Sequence, residues 1–290
     1  MSMTRDQRET IEAALGVTIT HVTSVIGGDI NRAFCIALAD GTEAFVKTPG
    51  GPSPSDLYEA EAAGLRALRR AAGEALVVPA VLAVGTDFLV LEALRFASPP
   101  RDFEEQLGRG LALLHRRATA DRFGFACTTY LGRIPQDNAA IDTNAWPAFW
   151  RERRLLPILA DFGRDPDLQS LGRQLADRLD TLLHGPAEPP TLIHGDLWSG
   201  NAAFLADLGR PAIFDPAGCY AHREVEFGMT RLFGFGPRFE AAYHETHPLA
   251  DGWERRVEVY RLHHLLSHAW HFGGGYVTQA ESLLRRLLKT

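Results

Sequence analysis

Short apolar runs separated by turn-forming residues occupy the first third of the chain, a pattern typical of an antiparallel sheet. An Ala-Asp-Gly turn at 39–41 joins two of these runs, which predicts a β-hairpin. Pro79 cannot donate a ladder hydrogen bond, so the run that contains it is predicted to lie at an edge of the sheet. Strands are predicted at residues 17–26, 32–38, 43–48, 76–83 and 88–91.

Helical spacing of apolar residues governs most of the rest of the chain. One helix is predicted to begin at a capping box on Thr4, and a second covers the apolar positions of residues 57–72. After Glu92 a proline-containing connector leads into a mostly helical pattern. We therefore predict a two-lobed α+β fold, with a small, mainly antiparallel lobe at 1–91 and a larger, mainly helical lobe at 92–290.

Composition narrows the class of protein. The 290 residues are 46% hydrophobic and 23% charged, as in ordinary globular proteins. The net charge of −6 and the pI near 6.0 argue against a nucleic acid as the main partner. Three cysteines without C-x-x-C spacing suggest neither a disulfide framework nor a zinc site, and no apolar run approaches the roughly 20 residues that span a bilayer. We expect a cytoplasmic protein that does not bind membranes.

One short polar segment carries the strongest chemical signal. Residues 194–201 read His-Gly-Asp-Leu-Trp-Ser-Gly-Asn, and Asp215 follows after the next apolar run. Phosphoryl transfer requires a carboxylate that orients and deprotonates the attacking hydroxyl, together with oxygen ligands that hold magnesium against the phosphates. The H-x-D-x-x-x-x-N spacing predicts Asp196 as the catalytic carboxylate, with Asn201 and Asp215 as Mg²⁺ ligands. His194 is expected to brace the loop rather than to act as a base.

The predicted small lobe contains candidates for binding ATP. Lys47 ends a predicted strand and Glu61 lies in the following helix, the arrangement in which a lysine holds ATP phosphates and a glutamate orients it. Without the downstream motif, two solvated surface charges would explain this pair equally well. The other ATP-binding candidates are Gly27 and Gly28, in a turn that could cover the phosphates, and Glu92, Ala93 and Leu94, as a hinge facing the adenine.

Six segments spread over nearly the whole chain carry a resemblance to a known family. They are YEAEAAGLRAL at 58–68, FGF at 123–125, YLGRIPQDN at 130–138, HGDLWSGN at 194–201, DPAGCYAHREVEFGMTRLFG at 215–234 and HAWHFGGGY at 268–276. Together they resemble the fructosamine kinase (ketosamine-3-kinase) family, within the aminoglycoside phosphotransferase-like and choline-kinase-like enzymes. The resemblance implies a protein-kinase-like fold, ATP and Mg²⁺ as cofactors, and phosphorylation of the 3-hydroxyl of a ketosamine, a deglycation repair activity. Asp29 replaces a cysteine that some members have in the glycine loop, so no redox switch is implied there.

Two features favour a small acceptor over a protein kinase's peptide. Trp198 stands where protein kinases usually carry a lysine, and Asp-Pro-Ala at 215–217 replaces D-F-G without a later A-P-E segment. Trp198 is a candidate for contact with a sugar or an amine, and packing in the core is an equally open alternative. A ketosamine, on a free amine or on a protein, is the expected substrate, with an aminoglycoside or choline-like acceptor as the alternative. A catalytically silent nucleotide-binding scaffold is disfavoured, because every chemical residue is present.

A histidine cluster near the C-terminus is a weaker candidate for function. His264, His268 and His271 are spaced to share one face of a predicted helix, which could hold a transition metal. The sequence offers no clear carboxylate partner for these imidazoles, and packed histidines are common. We therefore expect no metal at this cluster.

Overall fold

The computed structural model describes residues 3–25, 31–143 and 145–289. The strands are β1 (Ile19–Val25), β2 (Asn31–Leu38), β3 (Glu43–Pro49), β4 (Val81–Gly85), β5 (Phe88–Glu92), β6 (Phe96–Ala97), β7 (Thr129–Leu131), β8 (Ile134–Gln136), β9 (Thr191–Ile193), β10 (Ala202–Leu205), β11 (Arg210–Ile213) and β12 (Cys219–Ala221). The α-helices are α1 (Arg5–Leu15), α2 (Leu57–Ala72), α3 (Phe103–Arg117), α4 (Trp146–Trp150), α5 (Leu156–Ala160), α6 (Pro166–Ala176), α7 (Leu179–Leu182), α8 (Glu226–Phe233), α9 (Pro237–Thr246), α10 (Trp253–Phe272) and α11 (Gly275–Leu287). Shorter helical turns are the π-helix Arg151–Leu155 and the 3₁₀ turns Ser199–Asn201 and Arg223–Val225.

The first part of the chain forms a five-stranded antiparallel sheet in the order β1-β2-β3-β5-β4. Phe34, Val46 and Val90 point to one face of this sheet and are buried in a small core that also takes Ile11 from α1. The capping box predicted at Thr4 is present at the start of α1. The predicted hairpin of β2 and β3 is likewise confirmed.

One of the five predicted strands is wrong in its first half. The run 76–83 is predicted as a single edge strand, but β4 takes only its end. Val77 instead pairs with β11: its amide donates to Pro211 O at 2.8 Å and its carbonyl accepts from Ile213 N at 2.9 Å. Pro79 lies between Val77 and the start of β4. Because proline has no backbone N–H to donate, it separates the pairing of Val77 with β11 from the pairing of β4 with β5. The remaining strand, β4, lies at the sheet edge as predicted.

Helix α2 connects the sheet to the helical part of the chain. Tyr58, Ala62 and Leu65 are fully buried in a large core that continues into α3, α8, α9 and α10. Leu89 and Leu91 of β5 belong to the same core. The sheet and the helices therefore share buried apolar surface, which stabilises both by about 25 cal/mol per Å² removed from water.

Two small ladders hold the loops that follow β9 and β11. Strand β9 pairs with β12, and β10 pairs with both β11 and β6. The two loops are joined by backbone hydrogen bonds, from Ala217 N to His194 O at 2.9 Å and from Phe214 N to Asn201 O at 3.1 Å. The predicted α+β class is confirmed. Within the described residues, no helix is long and apolar enough to cross a membrane.

Candidate active site

A cavity of about 810 Å³ is lined by residues of the sheet, of α2 and of the helical part of the chain. Lys47 from β3 and Glu61 from α2 line it together with Asp196, Asn201 and Asp215. These five residues, which the sequence predicts to act in one site, are therefore gathered around one space.

Lys47 is a buried ammonium held by two carboxylates. The alternation of β3 directs Val46 into the small core and Lys47 into the cavity. Lys47 Nζ lies 2.7 Å from Glu61 Oε1 and 2.5 Å from Asp215 Oδ1. Burial opposes the charge, but the two carboxylates outweigh burial and raise the pKa of Lys47. Lys47 is therefore charged, and it ties the loop after β11 to helix α2.

The loop after β9 brings the side chains of Asp196 and Asn201 together. The Asn201 side-chain nitrogen donates to Asp196 O at 2.8 Å and to Asp196 Oδ2 at 3.2 Å. Within the described residues no hydrogen bond reaches the side-chain oxygen of Asn201, so this oxygen can bind a cation. Burial, followed by the charge of Asp215, raises the pKa of Asp196 well above its usual range. A cation among these oxygens would counter that effect, so the residues present fit Mg²⁺.

His194 is neutral and braces the same loop. Its Nε2 lies 2.9 Å from Phe214 O and therefore carries the proton. Its Nδ1 accepts the amide of Asp196 at 3.3 Å. Burial lowers the pKa of His194, which keeps the imidazole uncharged. These contacts are those expected of a bracing residue, because both ring nitrogens are occupied by the protein.

Glu226 holds the start of this loop and is not identified by the sequence reasoning. Its Oε2 accepts the amide of His194 at 2.8 Å, and its Oε1 accepts the amide of Gly195 at 2.7 Å. Glu226 is 1% exposed, so the carboxylate replaces water for two buried amide groups. A signal exists in the sequence, where Glu226 stands between the apolar residues Val225 and Phe227.

Gly195 and Asp215, one in each of these two loops, both have a positive φ angle. Asp215 has φ = 61°, the left-handed region that non-glycine residues occupy at a cost of about 1 kcal/mol or more. Gly195 has φ = 80°, and a Cβ there would lie 2.4 Å from Ala217 O. The close approach of the two loops therefore requires glycine at 195 and directs Asp215 into the cavity.

Neither the predicted phosphate loop nor the predicted hinge is tested by the described lining of the cavity. Gly27 and Gly28 lie outside the described residues. Glu92, Ala93 and Leu94 are absent from the described lining of the cavity. Glu92 belongs to β5, where its amide donates to Ala80 O at 2.9 Å, and its carboxylate accepts the Ala80 amide at 3.0 Å. The backbone of Glu92 is therefore paired within the sheet, and the role of residues 92–94 as a hinge stays a prediction.

Phe96 of β6 belongs to the described lining of the cavity. Its ring stacks on Phe214, with 5.3 Å between ring centroids and 14° between planes. Phe96 is 59% exposed. An aromatic ring in a proline-containing connector is the sequence signal that could have identified it, since flat apolar surfaces bind planar ligands such as a base.

Trp198 lines the cavity rather than packing in the core. It is 37% exposed, and its ring covers Gly200, where a Cβ would lie 2.4 Å from the indole. The core alternative is therefore wrong. Further along the same wall, Ser199 Oγ donates to Phe233 O at 3.0 Å and joins the loop to the end of α8.

The histidine face predicted on the last long helix is present on α10. His268 Nδ1 and His271 Nδ1 each lie 2.8 Å from a backbone carbonyl one turn earlier. Across the parts of the chain that the structure describes, no group of three or more His, Cys, Asp or Glu side chains is arranged to hold a metal ion. Burial lowers the pKa of His264 to about 3, as for a packed neutral imidazole.

The chain is similar to known proteins over nearly its whole length. The family model described as fructosamine kinase matches residues 3–290. A chloroplastic protein-ribulosamine 3-kinase of Oryza sativa subsp. indica is 37% identical over 278 residues, covering 93% of this chain and 80% of the relative. A crystal structure assigned to a fructosamine-3-kinase of Thermobifida fusca is 32% identical, with a TM-score of 0.89, covering 99% of this chain and 100% of the other.

A more distant likeness concerns the fold alone. An aminoglycoside phosphotransferase bound to ADP and hygromycin B is 15% identical, with a TM-score of 0.62 and 97% of each chain covered. The predicted two-lobed, protein-kinase-like architecture is thereby confirmed.

Proposed function

The chain belongs to the fructosamine kinase family, and we propose that it transfers the γ-phosphate of ATP to the 3-hydroxyl of a ketosamine, a deglycation repair reaction. The observation that carries the proposal is the convergence of Lys47, Asp196, Asn201 and Asp215 on one cavity in a chain that the family model matches at residues 3–290. The names of the relatives, a ribulosamine 3-kinase and a fructosamine-3-kinase, support this acceptor class.

Asp196 is proposed to orient the attacking hydroxyl and to take its proton. The contact from the Asn201 side chain fixes the carboxylate at 3.2 Å, and Glu226 and His194 fix the loop that carries it. A base of this kind contributes about 10²–10⁴-fold to the rate, provided that it is within hydrogen-bond reach of the hydroxyl.

Lys47 is proposed to bind the phosphates, with Glu61 holding its ammonium in place. Kinases of this fold place a strand lysine and a helix glutamate in those roles. Asn201 and Asp215 present the oxygen ligands that Mg²⁺ prefers, and the bound ion would neutralise charge on the transferred phosphate. The rest of the ATP site is proposed to include Gly27 and Gly28 over the phosphates, Glu92, Ala93 and Leu94 beside the adenine, and Phe96 against its face. The boundary between the nucleotide-binding lobe, 1–91, and the catalytic lobe, 92–290, stays a proposal.

The test is an acceptor panel with ATP and Mg²⁺. Release of ADP is measured with fructosyl-lysine and ribulosyl-lysine beside free ribulose, choline and kanamycin. We expect turnover of the two adducts with kcat/KM at least about tenfold above that of the other acceptors, a difference of about 1.4 kcal/mol in transition-state binding. If kanamycin or choline were turned over in preference, the proposed acceptor would be wrong and the proposed kinase chemistry would stand. ATP binding without turnover of any acceptor would contradict the proposal.

A further inference from the structure

One wall of the cavity carries side chains that the proposed phosphoryl transfer does not use. Phe233 from α8, His268 and Phe272 from α10 and Tyr276 from α11 line the cavity together, and we name these four residues the aromatic box. The His268 ring lies 4.6 Å from Phe233, 5.2 Å from Tyr276 and 5.8 Å from Phe272, measured between ring centroids. Phe272 is 58% exposed, so its ring is free to contact a ligand in the cavity.

His268 presents a hydrogen-bond acceptor to this box. Its Nδ1 lies 2.8 Å from His264 O, so Nδ1 carries the proton and Nε2 carries a lone pair. In the described part of the chain no hydrogen bond reaches that Nε2. His271 differs, because its Nδ1 donates to Ser267 O at 2.8 Å and its Nε2 accepts the Arg133 amide at 3.2 Å. Of these two histidines, His268 alone has a ring nitrogen that can accept a hydrogen bond from a ligand.

No positively charged side chain other than Lys47 belongs to the described lining of the cavity, so no further cation of the lining opposes a cationic ligand at the box. The same lining contains three carboxylates, on Glu61, Asp196 and Asp215, against the single ammonium of Lys47. Aromatic faces attract a cation because their quadrupole is negative above the ring. A cation with an N–H would satisfy both the rings and the lone pair of His268.

We infer that the aromatic box binds the protonated secondary amine of the ketosamine, with the charge against the exposed side of its rings and His268 Nε2 accepting an N–H. The inference rests on the proposed function for the identity of the acceptor, and it adds which part of that acceptor is recognised. An alkylamine is largely protonated at neutral pH. The acceptor class is therefore a ketose joined to a positively charged nitrogen, and the charge itself selects it.

The box is tied to the catalytic loop, so recognition of the amine also orients the sugar. Ser199 Oγ donates to the backbone carbonyl of Phe233 at 3.0 Å, which joins the backbone that carries one of the rings to the loop that carries Asp196. The turn at Gly273 and Gly274, both at positive φ, lets α11 fold back so that the Phe272 and Tyr276 rings lie 6.3 Å apart. Because the amine nitrogen is bonded to carbon 1 of the ketose, holding the amine limits where the hydroxyl on carbon 3 lies.

The test compares two ligands that differ only at the atom joining a propyl group to carbon 1 of fructose, and therefore in positive charge and in N–H donors. The charged ligand is 1-deoxy-1-propylamino-fructose, and the neutral one is the ether 1-O-propyl-fructose. Equilibrium dissociation constants are measured by calorimetry and kcat/KM by ADP release, for the wild type, Phe272→Leu and Trp270→Leu. Trp270 is a matched control, because it is an exposed ring on the same helix that is not part of the described cavity lining. Tyr276→Phe removes the hydroxyl alone, and Tyr276→Leu also removes the ring. Comparing the two variants shows whether the ring or the hydroxyl contributes to binding.

We expect the wild type to prefer the amine over the ether by about threefold to thirtyfold, in line with cation–π and charge-assisted contacts. Phe272→Leu and Tyr276→Leu should reduce that preference to less than half, whereas Trp270→Leu and Tyr276→Phe should keep it. Equal binding of the two ligands, or equal losses for both in Phe272→Leu, would overturn the role of the box. Turnover of both ligands without a preference would overturn the box alone, and failure to bind or phosphorylate either would also overturn the proposed function.

Discussion

Asp196 is the side chain on which the proposed chemistry depends most. Asp196→Asn keeps its size and removes the base, so kcat is expected to fall by about 10²–10⁴-fold. Since Lys47 and its carboxylates are untouched, the affinity for ATP should change by less than about threefold. The kcat is measured by ADP release with the ketosamine substrate, and the affinity for ATP is measured by nucleotide titration. Asp207→Asn, at an exposed turn, is the control and should behave as wild type. Retained turnover in Asp196→Asn would contradict the assigned role.

Glu226 is predicted to act on the reaction through the loop it holds. Glu226→Gln leaves one acceptor oxygen for two amides and directs an NH₂ group at the second amide. The free energy of unfolding should fall by about 1–3 kcal/mol, and kcat should fall more than KM rises. Urea denaturation and steady-state kinetics measure these effects, with the exposed Glu245→Gln as the matched control. Wild-type kcat in Glu226→Gln would show that the loop does not need this carboxylate.

Among the elements, the contact of the loop after β9 with the loop after β11 sets a sharp steric requirement. Gly195→Ala puts a Cβ against Ala217 O at a positive φ, whereas Gly209→Ala has a similar φ with no atom within 4 Å. Strain alone should cost Gly209→Ala about 1 kcal/mol with full activity. Gly195→Ala should lose more stability and most of its activity, because backbone must move. Thermal melts and ADP release compare the two, and equal behaviour would mean that the close approach is unimportant.

Strands whose signals lie in adjacent residues could be predicted from the sequence. Pairings between residues far apart in the chain could not. The hairpin of β2 and β3 follows from its own turn residues. The run 76–83 looks like one strand, yet Val77 pairs with β11, more than a hundred residues later, and no local pattern encodes that partner.

The same division holds for the site. One loop sequence supplies the spacing from His194 to Asn201, so these residues could be predicted together. Glu226 acts from 31 residues beyond Gly195, and the aromatic box joins three helices, so both depend on tertiary packing. The hinge at 92–94 stays a prediction: Glu92 pairs with Ala44 in the sheet, a pairing that does not test contact with an adenine.

At the scale of the whole molecule, the continuous core binds the sheet to the helices, and several of its histidines are buried. Burial lowers the pKa of His264 to about 3, below its value of about 6.5 in the unfolded chain. The stability from such a neutral histidine is complete above pH 6.5 and is lost as pH falls toward pH 3, by about 1.4 kcal/mol per pH unit.

His264→Gln is therefore expected to reduce the slope of unfolding free energy against pH by about 1.4 kcal/mol per unit between about pH 6 and 4. His184→Gln, at an exposed position, is the matched control. Urea denaturation at each pH gives both slopes, and constant m-values verify that two-state unfolding holds. The same slope in His264→Gln and wild type would mean that this histidine is not kept neutral by the fold.

The position of the phosphate on the product decides whether the protein phosphorylates the 3-hydroxyl of a ketosamine. The protein is incubated with ATP, Mg²⁺ and 1-deoxy-1-propylamino-fructose, and the product is examined by ³¹P–¹H correlation NMR. A kinase of the proposed type gives a single phosphate ester coupled to the proton on carbon 3 of the ketose. A phosphate on another hydroxyl, or no product from this acceptor while kanamycin is phosphorylated, would contradict the account.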